Sequence, residues 1–307
     1  MKRCLVIGSR GSKLALWQAN NVQTQLQAIT PELTVRIEII KTTGDVKTDP
    51  LTVIGGKGVF TKELEDALLD RRIDIAVHSL KDLPTVLPDN LTIAAICKRE
   101  DPRDALVLRE AKQIKSLHDV TANAVVGTSS QRRLAQLKSA RPDLVINDLR
   151  GNVDSRIRKL DEGLYDAVIL ASAGLKRLGL SERISYSITP EEMLPAVGQG
   201  AIGIETLRDD EFTVQTVKKL EHEPTRIACL AERALLRSLG GGCQFPIAAH
   251  AIIVGENLRL DGLVATPDGS TILKASLSGS AIDPERLGIS VANKLKEQGA
   301  ESLLSQR

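Results

Sequence analysis

Basic and hydroxyl side chains follow nearly every predicted strand in the first two-thirds of this 307-residue sequence. They occupy segments 9–12, 78–82, 128–133, 150–156 and 173–177. Ligands of parallel α/β sheets bind outside the carboxyl ends of the strands, so a binding site is expected at these segments. Guanidinium groups, hydroxyls and the amides of helix starts together bind carboxylates or phosphates. The pattern therefore predicts a ligand that carries several negative charges.

Asp82 is an acidic residue within this basic set. One explanation is an ion pair with Lys81 or with a neighbouring arginine. The other is a carboxylate that stabilises a developing cation or transfers a proton. His78 is expected to end its strand and to orient the loop, and it is not assigned as a base.

Cys243 has an unusual setting, because three glycines precede it in GGGCQFPI, residues 240–247. Cys4, Cys97 and Cys229 instead lie in apolar or helical patterns and are interpreted as small core residues. The four cysteines form no C-x-x-C pair and have no histidine at metal spacing, so zinc is not expected. Disulfides are not expected either in a reducing compartment. The sequence leaves Cys243 as the thiol that needs a chemical explanation.

Two glycine-rich segments match nucleotide-binding motifs only in part. PLTVIGGKGVF, residues 50–60, lacks the first glycine and the Ser/Thr of a phosphate-binding loop, so we interpret it as a mobile flap that carries Lys57 and Phe60. GQGAIG, residues 198–203, has G-x-G-x-x-G spacing but continues into a predicted strand and not into a helix. Neither segment is therefore predicted to bind a nucleotide.

Composition excludes several classes of partner. The net charge is +2 and aromatic residues make up 2% of the chain, so the sequence has neither a global basic field nor rings for stacking bases. No apolar run is long enough for a signal peptide or a membrane span. We expect a cytoplasmic protein that binds neither nucleic acid nor membrane.

The elements that position these residues follow a regular order. Apolar strands alternate with amphipathic helices through the first two-thirds of the chain, which is typical of parallel α/β sheets. Two rounds of this alternation predict two α/β domains that join near residues 98–105. From about residue 222, a long helix, three strands and a closing helix predict a small α+β domain. Cys243 lies between the first helix and the first strand of that domain.

Stretches along nearly the whole chain, in order, resemble the porphobilinogen deaminase (hydroxymethylbilane synthase) family. They are SRGSKLALWQA, IGGKGVF, DIAVHSLKDLP, REDPRDA, VGTSSQRR, LRGNVDSR, AGLKRLG, LPAVGQGAIGIE and GGGCQFPI. The resemblance implies two α/β domains similar to periplasmic binding proteins, and a smaller C-terminal α+β domain that carries the cysteine. It places these domains at 1–99 with 196–217, at 104–192 and at 222–307.

The resemblance also implies an activity. A member of this family is a transferase of tetrapyrrole synthesis, on the route to haem or chlorophyll. It joins four porphobilinogen molecules head to tail, releases ammonia at each step and passes linear hydroxymethylbilane to a downstream synthase. It uses a dipyrromethane cofactor, made from substrate and bound by a thioether to a loop cysteine, here Cys243. No metal is implied, and a monomer is expected.

Site residues carry over from the family's motifs by position. Asp82 is the implied catalytic carboxylate, which holds pyrrole N–H groups and stabilises the cationic azafulvene left when ammonia departs. The implied cofactor-binding residues are Cys243, Ser79, Lys81, Thr128, Ser129, Ser130, Arg132, Arg133, Arg150 and Gly151. The implied substrate-binding residues are Arg10, Ser12, Arg156, Arg177, Lys57, Phe60 and Gln199. Porphobilinogen carries acetate and propionate arms, so the cationic strand ends fit this substrate independently.

Two other classes of protein share part of this pattern. A two-domain anion-binding protein without catalysis would have the arginines, but it has no use for Cys243 or Asp82. A hydrolase with a cysteine nucleophile needs a histidine partner, and the sequence ties none of its four histidines to Cys243. Intact mass separates the three classes, because only the deaminase would carry a permanent organic adduct.

Overall fold

A computed structural model describes residues 4–43, 61–110, 112–241 and 245–305. The predicted flap with Lys57 and Phe60, and Cys243 itself, lie outside the described residues. The chain forms two compact units, Met1–Glu100 with Ala201–Arg226 and Asp101–Gly200 with Ile227–Arg307. The three-domain boundaries set out above stay a prediction.

The elements follow one another in this order: β1 Cys4–Ser9, α1 Lys13–Ile29, β2 Thr34–Ile39, α2 Lys62–Leu69, β3 Ile75–Ser79, β4 Leu91–Ile96, β5 Asp104–Leu108, β6 Val125–Gly127, α3 Gln131–Ala140, β7 Val145–Asn147, α4 Val153–Asp161, β8 Ala167–Ala171, α5 Ser172–Arg177, β9 Tyr186–Ile188, β10 Ile202–Leu207, α6 Glu211–Lys218, α7 Glu223–Ser238, β11 Ile247–Val254, β12 Asn257–Ala265, β13 Ile272–Ser280, α8 Pro284–Glu297 and α9 Ala300–Ser305. Short 3₁₀ turns lie at Leu80–Asp82, Leu117–Asp119 and Ser181–Arg183.

The first unit is built on a five-stranded sheet in the order β2-β1-β3-β10-β4. Strands β2, β1 and β3 are parallel, whereas β10 is antiparallel to both of its neighbours. Helix α1 buries Ala15, Ala19, Val22 and Leu26, which recur every three or four residues and so lie on one face of the helix. Ala19, Val22 and Leu26 pack with Leu5 and other buried strand residues in a core on one side of the sheet.

The second unit repeats this pattern in a sheet of order β7-β6-β8-β5-β9. Here β7, β6 and β8 are parallel, and β5 is antiparallel to β8 and β9. The α/β prediction is confirmed, and each of the two sheets contains one antiparallel strand in addition to the predicted parallel strands. The antiparallel strand in each sheet, β10 or β5, comes from a different part of the chain than the βαβ units beside it. Its direction is therefore not set by a helical crossover.

The C-terminal part of the second unit is an antiparallel sheet of order β11-β12-β13 with helices α7, α8 and α9. Leu235 on α7 and Val291 and Leu295 on α8 are fully buried, and they pack with Leu258 and Leu260 of β12. This confirms the predicted small α+β fold. None of the helices within the described residues is long and apolar enough to cross a membrane.

Candidate functional site

In the first unit, two predicted site segments meet at one edge of the sheet. Strands β1 and β3 are parallel neighbours, so their carboxyl ends lie side by side. Arg10 and Ser12 follow β1, while Lys81 and Asp82 follow β3. Arg10, Ser12 and Lys81 are partly exposed, and Asp82 is exposed. The structure therefore brings the predicted catalytic carboxylate together with predicted cationic residues.

Helix α1 helps to fix the side chains at this edge. The hydroxyl of Ser12 accepts a hydrogen bond from the backbone N–H of Ala15 at 3.3 Å, which caps the helix. Gln18 is 2% exposed and donates from Nε2 to the Ser79 hydroxyl at 2.9 Å. We did not predict Gln18 to be part of the site, because a polar residue within an amphipathic helix usually faces solvent. Its buried contact positions a hydroxyl two residues before Lys81.

The turn that carries Asp82 is anchored by a buried leucine. Leu80 is 1% exposed, and its N–H donates to the carbonyl of Ala201 at 3.0 Å. A Cβ on Gly203 would lie 2.9 Å from Leu80 Cδ1, so glycine leaves room for this side chain. Gly203 is the last glycine of the GQGAIG segment. Its role here is close packing beneath the turn.

In the second unit, the parallel strands β7, β6 and β8 also end at a common edge. The hydroxyls that follow β6 make local contacts. Thr128 Oγ1 accepts from the N–H of Ser130 at 3.3 Å, and Ser130 Oγ caps α3 through the N–H of Arg133. Ser129 Oγ donates to the carbonyl of Leu149 and accepts from its N–H at 3.1 Å. These contacts tie the turn after β6 to the segment after β7.

The arginines after β7 and β8 are also positioned by contacts within this unit. Arg150 Nε lies 3.0 Å from Asp148 Oδ2, and Arg156 Nε donates to the carbonyl of Gly151 at 2.7 Å. Arg177 Nη2 donates to the carbonyl of Gly200 at 2.7 Å. All three arginine residues are partly exposed. Each guanidinium group carries further N–H donors that can bind an anion.

Arg132 and Arg133 differ from these, because both are buried against Asp104. Arg132 Nη1 forms an ion pair with Asp104 Oδ2 at 2.7 Å, without hydrogen-bond geometry, and donates to the carbonyl of Leu194. Arg133 Nε and Nη2 donate to Asp104 Oδ1 at 3.0 and 2.7 Å. The two arginines therefore have a structural role that the sequence did not indicate. Their contact with a bound group stays a prediction.

Asp104 is the acidic residue at this edge that sequence reasoning missed. It begins β5, directly opposite Ala171 at the end of β8. It is fully buried, which alone would raise its pKa, but the guanidinium groups of Arg132 and Arg133 hold the pKa well below its ordinary value. Gln199 Nε2 donates to the same carboxylate at 3.1 Å. Asp104 thus holds three of the predicted ligand-binding side chains in place.

Replacing Asp104 by Asn is expected to destabilise the protein strongly. The change leaves two buried guanidinium groups without their counter-charge, and breaking a buried pair in this way costs about 3–5 kcal/mol. Because the pKa of Asp104 is lowered in the folded state, the ionised carboxylate stabilises the fold fully at pH values above its ordinary pKa of 3.8. This stabilisation is lost progressively as the pH falls below 3.8. Urea unfolding between pH 3 and pH 7 measures both effects. The Asn variant should lack this acid-dependent loss.

Asp161 supplies a matched control for this measurement. It forms an ion pair with Arg183 at 2.6 Å, but its side chain is 48% exposed. Asp161→Asn should therefore cost at most about 1 kcal/mol. Equal unfolding free energies for the two variants would show that the Asp104 network contributes no more than a surface pair.

Cys243 lies outside the described residues, but the chain on either side of it is fixed. Gly240 has φ +65° after the end of α7, a conformation that favours glycine. A Cβ on Gly241 would lie 2.2 Å from Ile247 Cδ1, so a larger residue there would require the Ile247 side chain to shift. Phe245 packs against the core of the C-terminal sheet. Gly240 is therefore favoured by its backbone conformation and Gly241 by packing, and neither reason involves a ligand of the loop.

The described residues fit an anionic organic group. The edge of the second unit presents hydroxyls and the partly exposed guanidinium groups of Arg150 and Arg156. The buried Nε of Arg132 has no hydrogen-bond partner among the described residues, so it remains available as a donor. Within the same residues, no group of three or more His, Cys, Asp or Glu side chains could hold a metal ion. The donors are those that bind carboxylates.

Comparison with known proteins gives matches along most of the chain. The family described as "Porphobilinogen deaminase, dipyromethane cofactor binding domain" matches residues 5–215. The family described as "Porphobilinogen deaminase, C-terminal domain" matches residues 226–297. A relative named Porphobilinogen deaminase, from Chromobacterium violaceum, is 52% identical over 302 residues, which make up 98% of this chain and 97% of the relative.

The fold also has distant similarity to solved structures. The periplasmic VFT2 domain of BvgS from Bordetella pertussis covers 71% of this chain and 86% of its own length, at 14% identity and a TM-score of 0.41. The BenM effector binding domain with its effector benzoate covers 71% of this chain and 92% of its own length, at 15% identity and a TM-score of 0.43. Because both scores are low, the fold described above rests on its own sheet topology.

Proposed function

The chain belongs to the porphobilinogen deaminase family, and we propose that it joins four porphobilinogen molecules into linear hydroxymethylbilane with release of ammonia. The match to this family over nearly the whole chain carries the proposal. The geometry supports it, because cationic side chains gather at the strand ends of each unit and an exposed carboxylate stands beside them in the first. Porphobilinogen and its oligomers carry acetate and propionate groups, which guanidinium groups bind through paired hydrogen bonds.

A dipyrromethane cofactor, bound through a thioether to the Cys243 sulfur, is part of this proposal. When bound, it supplies the pyrrole carbon to which the first substrate unit is joined. The residues that would hold its carboxylates are those at the edge of the second unit: Thr128, Ser129, Ser130, Arg132, Arg133, Arg150 and Gly151. From the first unit, Ser79 and Lys81 are assigned to the same group. A carbon–sulfur bond uses the nucleophilicity of the thiolate and needs no metal.

Asp82 is proposed to act on the reacting rings. Its carboxylate would accept hydrogen bonds from pyrrole N–H groups and stabilise the positive charge that develops as ammonia leaves. Its placement suits this role, because the side chain is exposed on a turn whose backbone is held by the buried Leu80. Arg10, Ser12, Arg156, Arg177 and Gln199 are proposed to bind the carboxylates of incoming substrate, together with Lys57 and Phe60.

The direct test is turnover of porphobilinogen by the purified protein. We expect about four molecules of ammonia to be released for each linear tetrapyrrole formed. Mass spectrometry of the tetrapyrrole and the absorption of its oxidised form would identify this product. Binding of porphobilinogen without release of ammonia would favour an anion-binding protein instead. Delivery of product to a downstream synthase, a role in haem synthesis, a cytoplasmic location and a monomeric state stay predictions.

Arg150→Leu is expected to stop elongation before the final length. Each added unit brings two carboxylates, so loss of a guanidinium at the edge should weaken binding more as the chain grows. A partly exposed charged side chain contributes little to folding, so the variant should fold normally. Intact mass spectrometry during turnover should show enzyme with one to three added units accumulating.

Arg158 is the matched control for this variant. It lies on α4 with its side chain 69% exposed and pairs with Glu162 at 3.6 Å. Arg158→Leu should elongate as wild type does. If Arg150→Leu also released full-length product at the wild-type rate, Arg150 would have no part in holding the growing chain.

A further inference from the structure

A buried pair of ionisable side chains lies beneath the turn that carries Lys81 and Asp82. His78, in β3, is 5% exposed, and Glu205, in β10, is fully buried. His78 Nε2 lies 3.0 Å from Glu205 Oε2. The mechanism proposed above uses neither residue. A buried ionisable pair at this depth costs free energy to desolvate, so its presence calls for an explanation.

A second carboxyl group, that of Glu65, lies near this pair. Glu65 lies on α2, which packs on this face of the sheet. Burial is the largest influence on the pKa of Glu65 and raises it, and the charges of Glu205 and Asp66 raise it further. The nearby Thr61 hydroxyl and the charge of His78 act in the opposite direction. One carboxyl oxygen of Glu65 and one of Glu205 are buried without a hydrogen-bond partner among the described residues. A neutral Glu65 would bring an O–H donor into a region that has an excess of acceptors.

This group of side chains is joined directly to the proposed catalytic turn. His78 pairs in the β ladder with Gly203, the residue against which Leu80 packs. Only two residues separate His78 from Lys81. The His78 side chain therefore lies next to the end of β3 from which the turn departs. The other titratable groups of α2 are Lys62, Glu63 and Asp66, and the turn carries Lys81 and Asp82.

We propose that His78, Glu205 and Glu65, the His78 cluster, form a positioning unit for the turn Leu80–Asp82. Glu205 is hydrogen-bonded to His78 Nε2, and the buried carboxyl group of Glu65 completes the cluster. The cluster fixes the direction in which Lys81 and Asp82 leave the sheet. This inference rests on the proposed function only where turnover is the measurement. Its two other measurements, hydrogen exchange and stability against pH, need no substrate.

The first experiment compares His78→Gln with His78→Leu. Glutamine keeps an N–H donor close to the position of Nε2, whereas leucine fills the space without a donor. We expect Leu to lower kcat about tenfold or more at nearly unchanged KM, and Gln to keep at least about a third of kcat. Hydrogen exchange of a peptide spanning residues 76–83 should become faster in the Leu variant than in the Gln variant. Asp70→Asn, a change at the exposed residue directly after the helix that carries Glu65, should leave all of these unchanged.

Two outcomes would overturn the positioning role. One is equal kcat in the Gln and Leu variants. The other is a loss of kcat in the Leu variant that matches its unfolded fraction, with exchange accelerated equally throughout the chain, because that pattern describes a core residue only. If no form of the protein turned over porphobilinogen, the proposed function would fail. The exchange difference between the two variants would then still decide whether the cluster positions the turn.

The second experiment tests whether Glu65 is neutral, using Glu65→Gln. If the pKa of Glu65 is raised in the folded state, the protonated side chain stabilises the fold fully at pH values below its ordinary pKa of 4.5. This stabilisation is lost as the pH rises through the pKa of the folded state. The unfolding free energy of wild type should therefore fall relative to that of Glu65→Gln as the pH rises above 4.5. Parallel stability profiles from pH 4 to pH 8 would show that Glu65 is not held neutral.

Discussion

Asp82→Asn should leave a folded protein that binds its pyrrole groups but has lost most of its turnover. Removing a carboxylate that stabilises a developing cation is expected to raise the barrier by about 3–4 kcal/mol, or roughly two to three orders of magnitude in kcat. The fold should survive, because Asp82 is exposed and the turn is held by the backbone of Leu80. The measurements are kcat for ammonia release, the melting temperature and the intact mass.

Asp89 provides the control for this variant. It lies in the same unit, is exposed and comes after the same turn in the chain, and its backbone carbonyl accepts a hydrogen bond from Arg208 Nε. Asp89→Asn should keep wild-type turnover. If Asp82→Asn also kept nearly normal turnover, the other explanation of this residue, an ion pair with a neighbouring cation, would be the correct one.

The sequence predicted the existence of most elements because their periodicity is local. In α1, apolar residues at helical spacing are enough to predict both the helix and its buried face. Strand direction could not be predicted in the same way, because an apolar run of five or six residues is compatible with parallel and antiparallel neighbours. The antiparallel placement of β5 and β10 depends on pairing with strands far along the chain. Such pairing leaves no signal in the strand's own residues.

The buried acid Asp104 shows a similar limit within the site. In REDPRDA it stands among charged residues, a composition typical of a solvated loop. It is buried because Arg133, 29 residues further on, reaches it from the start of α3. The cationic strand ends could be predicted from their order alone. The sequence could not predict which of the arginines would be buried against an acid, because that depends on the position of one antiparallel strand.

The glycines before Cys243 illustrate how one pattern can have two causes. In the sequence, the run of glycines set Cys243 apart from the three cysteines that were interpreted as core residues. For Gly240 and Gly241, however, the structure gives local reasons: a left-handed backbone and contact with Ile247. The thiol's own role must therefore be tested on the sulfur and cannot be inferred from these neighbours.

Purified wild-type protein is expected to weigh more than its 307 residues by one dipyrromethane unit. The excess should survive denaturation and thiol reductants, because a thioether, unlike a disulfide, is not cleaved by thiol exchange. Cys243→Ser should remove both the excess and the activity, since the serine hydroxyl is a much weaker nucleophile than a thiolate. This is the largest effect that we predict for a single change.

The structure identifies the control for Cys243→Ser. Cys97 and Cys229 are buried, so placing a hydroxyl there could disturb the core, whereas Cys4 is exposed. Cys4→Ser should therefore keep both the adduct and full activity. The cofactor-free Cys243→Ser protein should melt at a lower temperature and be cleaved faster by protease, because the contacts between the attached group and the cationic side chains form only in the folded protein. An unmodified mass in active wild-type protein would refute the thioether, and with it the assignment of Cys243 as the anchor.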